Sequence, residues 1–534
     1  IVSPGGGRQD EADLASVVQN KAMEAERLPR TEAHEAIMAV FLEWVRRGSD
    51  GGSDAAQVGT AGKAAGGSLA PTSPEYATLS ALADMRAPHE WFPLARAMRR
   101  RVVYHAGPTN SGKTYEALQR LSQAASGVYS GPLRLLAMEV FERLNGAGAY
   151  CSLRTGQERR LVPFATHESV TAEMLRLDRV VDVAVVDEVQ LMGDQERGWA
   201  WTRAVAGLPA KELHLCGDPS ALPRVRQILE ATGDELEVVT HERHSPLTLE
   251  PHSLEGDLRN VQKGDAVVTF SRRDIFDTKA LIESRTGLKC AVVYGSLPPE
   301  MRSHQARLFN QPEGGADVLV ASDAIGMGLN LNIRRVVFLT AHKYNASTRK
   351  SEPLSTSLVK QIAGRAGRRG TAYEQGRVAV LKVGDRAFVE QCLARELPPL
   401  ERVGLHPTWE QFDEFARELN EGRRAQAAGG IADAALLDPG ADDAGDVEDV
   451  PFPRMLDHFE GTARVDGATY FLANFATIRT LAAQLEAVRG LTLEERFTLC
   501  FAPVTLTMPP VLKAWLTMGN ALAAGGAGVL GHAE

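Results

Sequence analysis

The feature that most constrains the fold of this chain is the segment Gly107–Thr114, with the sequence GPTNSGKT. It fits the pattern G-x-x-x-x-G-K-[S/T] of a phosphate-binding loop. The apolar run Val102–His105 before it predicts a buried strand, and Tyr115–Leu121 after it predicts a helix start. In a strand–loop–helix unit, the backbone N–H groups and the helix N-terminus converge on phosphate oxygens. We therefore expect a nucleotide-binding α/β domain.

Each residue of this phosphate-binding loop has an expected role. Lys113 is expected to reach the β- and γ-phosphates, and the Thr114 hydroxyl is expected to hold Mg²⁺. The predicted nucleotide-binding residues of the loop are Gly107, Pro108, Thr109, Asn110, Ser111, Gly112, Lys113 and Thr114. The loop does not reveal what the nucleotide is used for, because kinases, GTPases, transporters and motors share it.

Strand and helix patterns alternate along two successive stretches of the chain. In the first stretch, apolar runs predict strands at 133–137, 164–168, 180–186 and 212–217, with a helix after the second of them. In the second stretch, similar runs predict strands at 265–271, 290–294, 318–321 and 335–339. Such alternation is typical of doubly wound parallel sheets. Because the second stretch has no phosphate-binding loop, we expect one nucleotide to be clamped between two α/β domains.

Composition divides the rest of the chain. The predicted parts are an N-terminal helical segment (1–47), a flexible Gly/Ala/Ser-rich linker (48–75), a first α/β domain (76–245), a second (246–400) and a C-terminal helical region (401–534). Further helices are predicted at about 76–99, 407–428, 468–475 and 477–488. An acidic insertion at 438–449 is interpreted as a solvated segment.

An acidic pair, Asp187 and Glu188, follows the strand predicted at 180–186. The carboxyl ends of parallel strands face the ligand crevice, so Asp187 is placed to hold Mg²⁺ and to contact the nucleotide. Glu188 is placed to orient or deprotonate an attacking water. The pair therefore favours nucleotide hydrolysis over binding alone.

A basic motif in the second stretch, QIAGRAGRRG, spans Gln361–Gly370. Arg365 and Arg368 are spaced to lie on one face of a helix. Guanidinium groups suit the charge that develops during phosphoryl transfer, and Gln361 is placed to contact the γ-phosphate or the water. The predicted catalytic set is therefore Glu188, Gln361, Arg365 and Arg368.

A glycine-containing loop, Ser322–Asn332, follows the strand predicted at 318–321. Its two close glycines allow the backbone to approach a ligand. Asp323 and Gly326 are predicted to contact the nucleotide, and the same loop is placed to touch nucleic acid.

These motifs, in this order, resemble the motif series of superfamily-two DExH-type helicases. Further segments are similar to Suv-type mitochondrial ATP-dependent RNA helicases: DEVQ (187–190), GWAWTRA (198–204), LHLCG (213–217), YGSLPP (294–299) and DAIGMGLNL (323–331). The resemblance is strong over about 100–400 and weaker in the C-terminal helices. Ser322 departs from it, since many members have Thr there.

The resemblance implies a fold and an activity. The fold would be two tandem RecA-like domains with a C-terminal helical region. With ATP and Mg²⁺, the protein would unwind RNA duplexes that carry a 3′ overhang, in the 3′-to-5′ direction, and would partner an exoribonuclease of the mitochondrial degradosome. Thr166, Ser271 and Ser322 would contact the nucleic-acid backbone. The mitochondrial matrix is the expected location, with the nucleus as a second one.

Several alternatives stay open at this stage. The same core would serve a DNA or RNA–DNA hybrid helicase, or an idle ATP-binding scaffold for an exoribonuclease. A small-molecule phosphotransferase is disfavoured because it leaves the second α/β domain and its arginines unexplained. The net charge of −9 argues against coating nucleic acid by bulk charge but permits a local basic channel.

Composition also excludes some classes of protein. No apolar run approaches the ~20 residues of a membrane span. The 5 cysteines are far apart and form no C-x-x-C pair, so we expect no zinc site, no disulfide framework and no metal cluster, and a reducing compartment. Because the sequence starts with Ile1, we expect a targeting peptide, if any, to precede it.

Overall fold

The structure is a computed structural model. It describes residues 74–156, 158–243, 246–311, 313–345, 348–368, 370–429, 449–502, 504 and 509–524. The helical segment predicted at 1–47, all but the last two residues of the predicted linker 48–75, and the acidic residues 438–448 lie outside the described residues.

The first α/β unit contains eight strands and is preceded by two helices, α1 (Pro74–Leu82) and α2 (Pro93–Arg96). Its strands are β1 (Arg101–Ala106), β2 (Gly127–Gly131), β3 (Cys151–Thr155), β4 (Glu158–Arg160), β5 (His167–Thr171), β6 (Val181–Asp187), β7 (Ala210–Gly217) and β8 (Glu235–Thr240). Its helices are α3 (Lys113–Ser122), α4 (Arg134–Gly146), α5 (Gly198–Gly207) and α6 (Leu222–Thr232). The sheet order is β4-β3-β5-β2-β6-β7-β1-β8, and only the edge strand β4 runs antiparallel to its neighbour. The carboxyl ends of the parallel strands therefore share one edge of the sheet.

The second α/β unit has a parallel sheet of six strands. These strands are β9 (Leu247–Leu249), β10 (Asp265–Val268), β11 (Cys290–Val293), β12 (Val318–Ala321), β13 (Arg335–Phe338) and β16 (Gly376–Val380), in the order β11-β12-β10-β13-β16-β9. An antiparallel hairpin, β14 (His342–Asn345) and β15 (Lys350–Pro353), follows β13. The helices are α7 (Arg272–Thr286), α8 (Pro299–Asn310), α9 (Thr356–Ala363) and α10 (Val383–Ala394). Two doubly wound parallel sheets in tandem confirm the predicted fold class.

The C-terminal region is mainly helical and packs on the first unit. Its elements are β17 (Val403–Leu405), α11 (Trp409–Gly429), α12 (Phe452–Thr462), β18 (Tyr470–Leu472), α13 (Ala476–Leu485), α14 (Leu493–Leu499) and α15 (Pro509–Ala523). At Gly404 a Cβ atom would lie 2.9 Å from the backbone nitrogen of Trp199 in α5, so this close approach requires glycine. In α1, Ser80 Oγ donates a hydrogen bond to the Thr462 carbonyl at 3.0 Å. The N-terminal helix, the first sheet and the C-terminal helices thus share one hydrophobic core.

The strand predicted at 133–137 is wrong, because this segment begins α4. The preceding Gly127–Gly131, which was not predicted, forms β2. Ala137, Val140 and Leu144 are the buried residues of α4, and their spacing of three and four is helical rather than alternating. A short apolar run does not distinguish a buried strand from the buried face of a helix.

Three other local predictions also differ from the structure. In the segment predicted as a helix at 468–475, residues 470–472 form β18, which pairs in parallel with β17. The strand predicted at 164–168 lies at 167–171 and continues into a 3₁₀ turn, not a helix. The helix predicted at 76–99 is broken at residues 83–87, before Pro88 starts a 3₁₀ turn and Pro93 a short helix. Residues 470–472 form a strand because they pair with β17, and the helix predicted at 76–99 is interrupted because prolines restrict the backbone there.

Among the helices of the described residues, none has the length and apolarity needed to span a bilayer.

Candidate nucleotide site between the two sheets

The phosphate-binding loop connects β1 to α3 at the carboxyl edge of the first sheet. Asn110 and Gly112 have positive φ angles of 61° and 89°, which curl the loop around its own backbone N–H groups. At Gly107 a Cβ atom would lie 2.6 Å from the His241 carbonyl oxygen, so only glycine fits. The loop shape therefore depends on glycine at both ends.

The polar groups of the loop suit a phosphate ligand. The Lys113 side chain is buried and its Nζ donates a hydrogen bond to the Pro108 carbonyl at 3.1 Å. Ser111 Oγ is buried and has no hydrogen-bond partner among the described residues. A buried hydroxyl without a partner costs free energy unless a ligand satisfies it. The residues present therefore fit a nucleotide phosphate.

Asp187, at the end of β6, is held by three hydrogen bonds. Thr114 Oγ1 and the Glu188 backbone N–H donate to Oδ1 at 3.0 and 3.1 Å, and Tyr129 Oη donates to Oδ2 at 3.1 Å. Burial, and then the charge of Glu188, raise the pKa of Asp187 to about 6, although Lys113 opposes the shift. Crowded, buried carboxylate and hydroxyl oxygens next to a phosphate-binding loop suit a hard divalent cation.

Glu188 has a left-handed backbone conformation, with φ of 55°. Strained backbone of this kind persists only where its surroundings over-determine it. The Gln190 amide donates a hydrogen bond to the Glu188 carboxylate and accepts one from the Asp218 backbone N–H at 3.2 Å. The orientation of the Glu188 carboxylate is therefore fixed by its own motif.

The second unit supplies the other wall of the site. Asn110 Nδ2 donates hydrogen bonds to the carbonyl oxygens of Gly364 and Gly367 at 3.0 and 3.1 Å. Arg243, which follows β8, also donates to the Gly364 carbonyl, at 2.7 Å. At Gly364 a Cβ atom would lie 2.9 Å from the Thr109 Cβ, so glycine permits this close approach. The phosphate-binding loop and the basic motif are thus in direct contact.

Arg365 lies beyond the end of α9, so the expectation of a shared helical face for Arg365 and Arg368 is wrong. The helix ends at Ala363, and Gly367 has a φ of 71° that turns the chain. Arg365 Nε and Nη2 donate to the Gly326 carbonyl at 2.8 and 2.6 Å. Burial lowers the pKa of Arg365, and the charges of Glu188 and Asp187 act against this shift. Arg365 therefore lies within electrostatic reach of both carboxylates.

The other predicted residues of the second unit gather around the same loop. The Gln361 side chain packs against Gly326, where a Cβ atom would lie 3.4 Å from Gln361 Cδ. Asp323 forms an ion pair with Lys343 of β14 at 2.6 Å. Arg368 is half-buried and its backbone N–H donates to the Tyr373 carbonyl at 2.8 Å.

The three predicted nucleic-acid contacts separate into two groups. Ser271 and Ser322 follow β10 and β12, at the carboxyl edge of the second sheet. The Ser271 hydroxyl caps helix α7, and the Ser322 hydroxyl caps a 3₁₀ turn. Thr166 is exposed and precedes β5, so it lies at the amino edge of the first sheet, away from the phosphate-binding loop. The threonine at the carboxyl end of β5 is Thr171, which pairs in register with Gly131.

Comparison with known proteins identifies the family. Residues 88–241 match the family model of the DEXQ-box helicase domain of Suv3, residues 251–370 match the helicase conserved C-terminal domain, and residues 480–518 match Suv3 C-terminal domain 1. The chain is 44% identical over 422 residues to the mitochondrial DExH-box ATP-dependent RNA helicase DExH16 of Arabidopsis thaliana, covering 79% of this chain and 68% of that protein. This chain belongs to the Suv3 family of helicases.

Other relatives are longer than this Suv3-family chain. It is 50% identical over 438 residues to the mitochondrial ATP-dependent RNA helicase SUV3L of Oryza sativa subsp. japonica, covering 82% of this chain and 55% of that protein. It is 41% identical over 445 residues to the mitochondrial ATP-dependent RNA helicase SUPV3L1 of Homo sapiens, covering 82% of this chain and 52% of that protein. The chain therefore spans about half the length of these two curated relatives.

Sequence reasoning missed three candidate residues of this site in the Suv3-family chain. Arg243 and Tyr129 lie in no recognisable motif, and their contacts depend on strand pairing and domain contact. Thr171 was within reach of prediction, because the residue that ends a parallel strand, and not the one that begins it, faces the ligand edge.

Proposed function

We propose that this chain is an ATP-dependent RNA helicase that couples nucleotide hydrolysis to strand separation. The observation that carries the proposal is the contact of the phosphate-binding loop with the segment Gly364–Gly367, where Asn110 and Arg243 meet carbonyl groups of the second unit. A nucleotide at this loop would lie against both units. Its hydrolysis would therefore depend on their approach, as a motor requires.

In this proposal the loop residues Gly107–Thr114 bind the phosphates of ATP. Thr114 and Asp187 would hold Mg²⁺, which would neutralise phosphate charge. Glu188, oriented by Gln190, activates the water, and Lys113 neutralises the phosphates. This division of roles matches the burial of Asp187 and the half-exposure of Glu188.

The arginines complete the site from the second unit. Arg365 and Arg368 stabilise charge on the transferring phosphoryl group, and Gln361 positions the water or the phosphate. The charges of Glu188 and Asp187 act on Arg365, whose guanidinium donates to the Gly326 carbonyl and would leave that carbonyl to contact a nucleotide. Asp323 and Gly326 belong to the same loop and are assigned contacts to the nucleotide.

RNA is proposed to lie along the carboxyl edges of both sheets. Ser271 and Ser322 contact its backbone from the second unit, and Thr171 replaces Thr166 as the contact of the first. Contacts to phosphate and ribose carry little sequence information, so we expect weak sequence preference.

The biological setting is inferred from the family. The relatives named above are called mitochondrial ATP-dependent RNA helicases. We infer the same compartment, specifically the matrix, for this chain, with the nucleus as a second location. A 3′-to-5′ direction on duplexes with a 3′ overhang, and cooperation with an exoribonuclease in RNA degradation and surveillance, are part of this proposal.

The test is strand displacement with purified protein. Matched duplexes of RNA, RNA–DNA hybrid and DNA would carry a 3′ or a 5′ single-stranded tail. The proposal expects ATP-dependent separation of the 3′-tailed RNA duplex and stimulation of ATP hydrolysis by RNA. Preference for the DNA duplex would make the chain a DNA helicase, and the absence of RNA-stimulated hydrolysis would favour the scaffold alternative.

A further inference from the structure

Three histidines form a continuous hydrogen-bonded line beneath the phosphate-binding loop. His105 in β1 is central, with Nδ1 2.9 Å from His241 Nε2 and Nε2 2.8 Å from His214 Nδ1. His214 Nε2 is in turn 2.8 Å from Glu212 Oε1. None of these side chains has a role in the proposed hydrolysis.

The acid at the end of this line determines which nitrogen atoms carry protons. Arg120 Nη2 donates to the Glu212 carboxylate at 2.9 Å, so this group is an ionised acceptor. His214 must then donate from Nε2 and accept at Nδ1, and His105 must donate from Nε2. The remaining nitrogen of His105, Nδ1, therefore presents a lone pair toward His241.

This arrangement is the one that a metal-ligating histidine needs. Such a residue usually donates its second ring N–H to a carboxylate or another acceptor, which holds the ring and its tautomer in place. His105 fits this pattern, because its Nε2 lies 2.8 Å from His214 Nδ1 while its Nδ1 is the atom that faces the proposed ion. His105 is thus oriented for a metal.

Glu116 supplies a carboxylate on the open side of the cluster. It lies in the first turn of α3, and its Oε2 is 3.7 Å from His241 Nε2. One ligand atom from each of His105, Glu116 and His241 lies within 4.8 Å of the others. The Glu116 side chain is 59% exposed, so it is free to close on an ion without disturbing the core.

We propose that His105, Glu116 and His241 bind one Zn²⁺ ion beside the phosphate-binding loop. Two imidazole nitrogens and one carboxylate form a ligand set typical of zinc sites that keep an open position for water. Mg²⁺ and Ca²⁺ prefer oxygen ligands and do not match this set. Binding would replace the hydrogen bond between His105 Nδ1 and His241 Nε2, because both nitrogen atoms become ligands of the ion.

The position of the site gives the ion a consequence for the motor. Glu116 follows the loop residue Thr114 in α3, and the His241 backbone carbonyl faces Gly107 across a gap that admits no side chain. The ion would therefore tie α3 to β1 and to the segment after β8. We expect bound Zn²⁺ to restrain the loop and slow nucleotide hydrolysis.

The experiment is a Zn²⁺ titration of the full chain against a chromophoric chelator, without nucleotide. The proposal expects one ion per chain, and affinity at least roughly tenfold weaker in His241→Ala and Glu116→Gln. Thermal unfolding provides a second readout, because Zn²⁺ bound to the folded state raises the midpoint in the wild-type chain and not in these variants. Glu116 is exposed, so its variant keeps the test valid even if His241→Ala folds poorly.

Two controls decide where the ion binds. His304→Ala removes an exposed histidine of the second unit and should leave Zn²⁺ binding unchanged. Asp187→Asn removes the carboxylate assigned to Mg²⁺ and should also leave it unchanged. Wild-type affinity in Glu116→Gln and His241→Ala, or loss of binding in Asp187→Asn, would overturn the proposal. Because binding is measured without nucleotide or RNA, the result does not depend on the helicase assignment.

Discussion

Asn110 Nδ2 donates a hydrogen bond to the Gly364 carbonyl at 3.0 Å, although the two residues are 254 positions apart in the chain. This bond links the phosphate-binding loop to the segment that carries Arg365 and Arg368. The two halves of the candidate nucleotide site are therefore in contact through backbone carbonyls. Single substitutions can change the distance between the phosphate-binding loop and the segment Gly364–Gly367.

Gly364→Ala should weaken domain closure. Its new Cβ atom would lie 2.9 Å from the Thr109 Cβ and 2.9 Å from the Lys360 carbonyl oxygen of α9, closer than such atoms normally approach, so the contact between the units must shift. Because a misplacement of about 1 Å can cost about 10²-fold in rate, we expect steady-state ATP hydrolysis to fall by one to two orders of magnitude. Gly384→Ala, in α10 with open space around it, is the matched control. Equal rates in both variants would argue against a role for this contact.

Glu188→Gln should bind ATP and fail to hydrolyse it. The substitution keeps the size of the side chain and removes the base, so turnover should fall by about 10²–10⁴-fold. Binding is measured with a fluorescent nucleotide, and turnover by phosphate release with and without RNA. Glu196→Gln changes an exposed glutamate of the following loop and should behave as wild type. RNA-stimulated ATP hydrolysis at the wild-type rate in Glu188→Gln would contradict the helicase assignment.

Tyr129→Phe should raise the Mg²⁺ concentration needed for half-maximal ATP hydrolysis. The phenol donates to Asp187 Oδ2 at 3.1 Å, and hydrogen bonds to charged groups contribute about 1.5–3 kcal/mol. A shift of roughly tenfold follows if that bond orients the carboxylate for the ion. In the control Tyr104→Phe, the lost bond goes to the Asp218 carbonyl, so stability should change but not the Mg²⁺ requirement. An unchanged Mg²⁺ requirement in Tyr129→Phe would leave the tyrosine with a packing role only.

Thr171→Ala and Thr166→Ala should differ in their response to RNA. Thr171 ends β5 at the ligand edge, whereas Thr166 precedes the same strand at the opposite edge. We expect Thr171→Ala to weaken RNA binding several-fold and Thr166→Ala to leave it unchanged, as measured by fluorescence anisotropy with single-stranded RNA. The reverse outcome would restore the contact first expected from the sequence.

His406 should make stability depend on pH. Burial among aromatic rings lowers its pKa to about 4, against about 6.5 for an unfolded histidine. Between these two pH values the unfolded chain binds a proton that the folded chain does not. The contribution of His406 to stability is therefore fully present above pH 6.5 and is lost as the pH drops from 6.5 to 4. His406→Leu should flatten this part of the curve of thermal midpoint against pH. His304→Gln, at an exposed position, should not; an equally steep curve in both variants would contradict the assignment.

The parts of the site that were predictable are those encoded by neighbouring residues. The phosphate-binding loop, Asp187 and Glu188 occupy short segments after apolar strands, and spacing alone indicates their place at the edge of a sheet. The apolar run at 133–137 was misassigned because helices and buried strands can share such a run. Thr166 stays a prediction as an RNA contact, but it precedes β5, and only the carboxyl end of that strand faces the ligand edge.

The sequence by itself determined that the chain builds two parallel α/β units with one phosphate-binding loop, because local spacing and hydrophobic periodicity are properties of adjacent residues. Only the tertiary structure decided which groups meet that loop. Asn110 with Gly364, Tyr129 with Asp187, and His105 with His241 depend on strand register and on contact between distant segments. Hydrogen bonds of this kind are set by position in space, and no pattern along the chain specifies them.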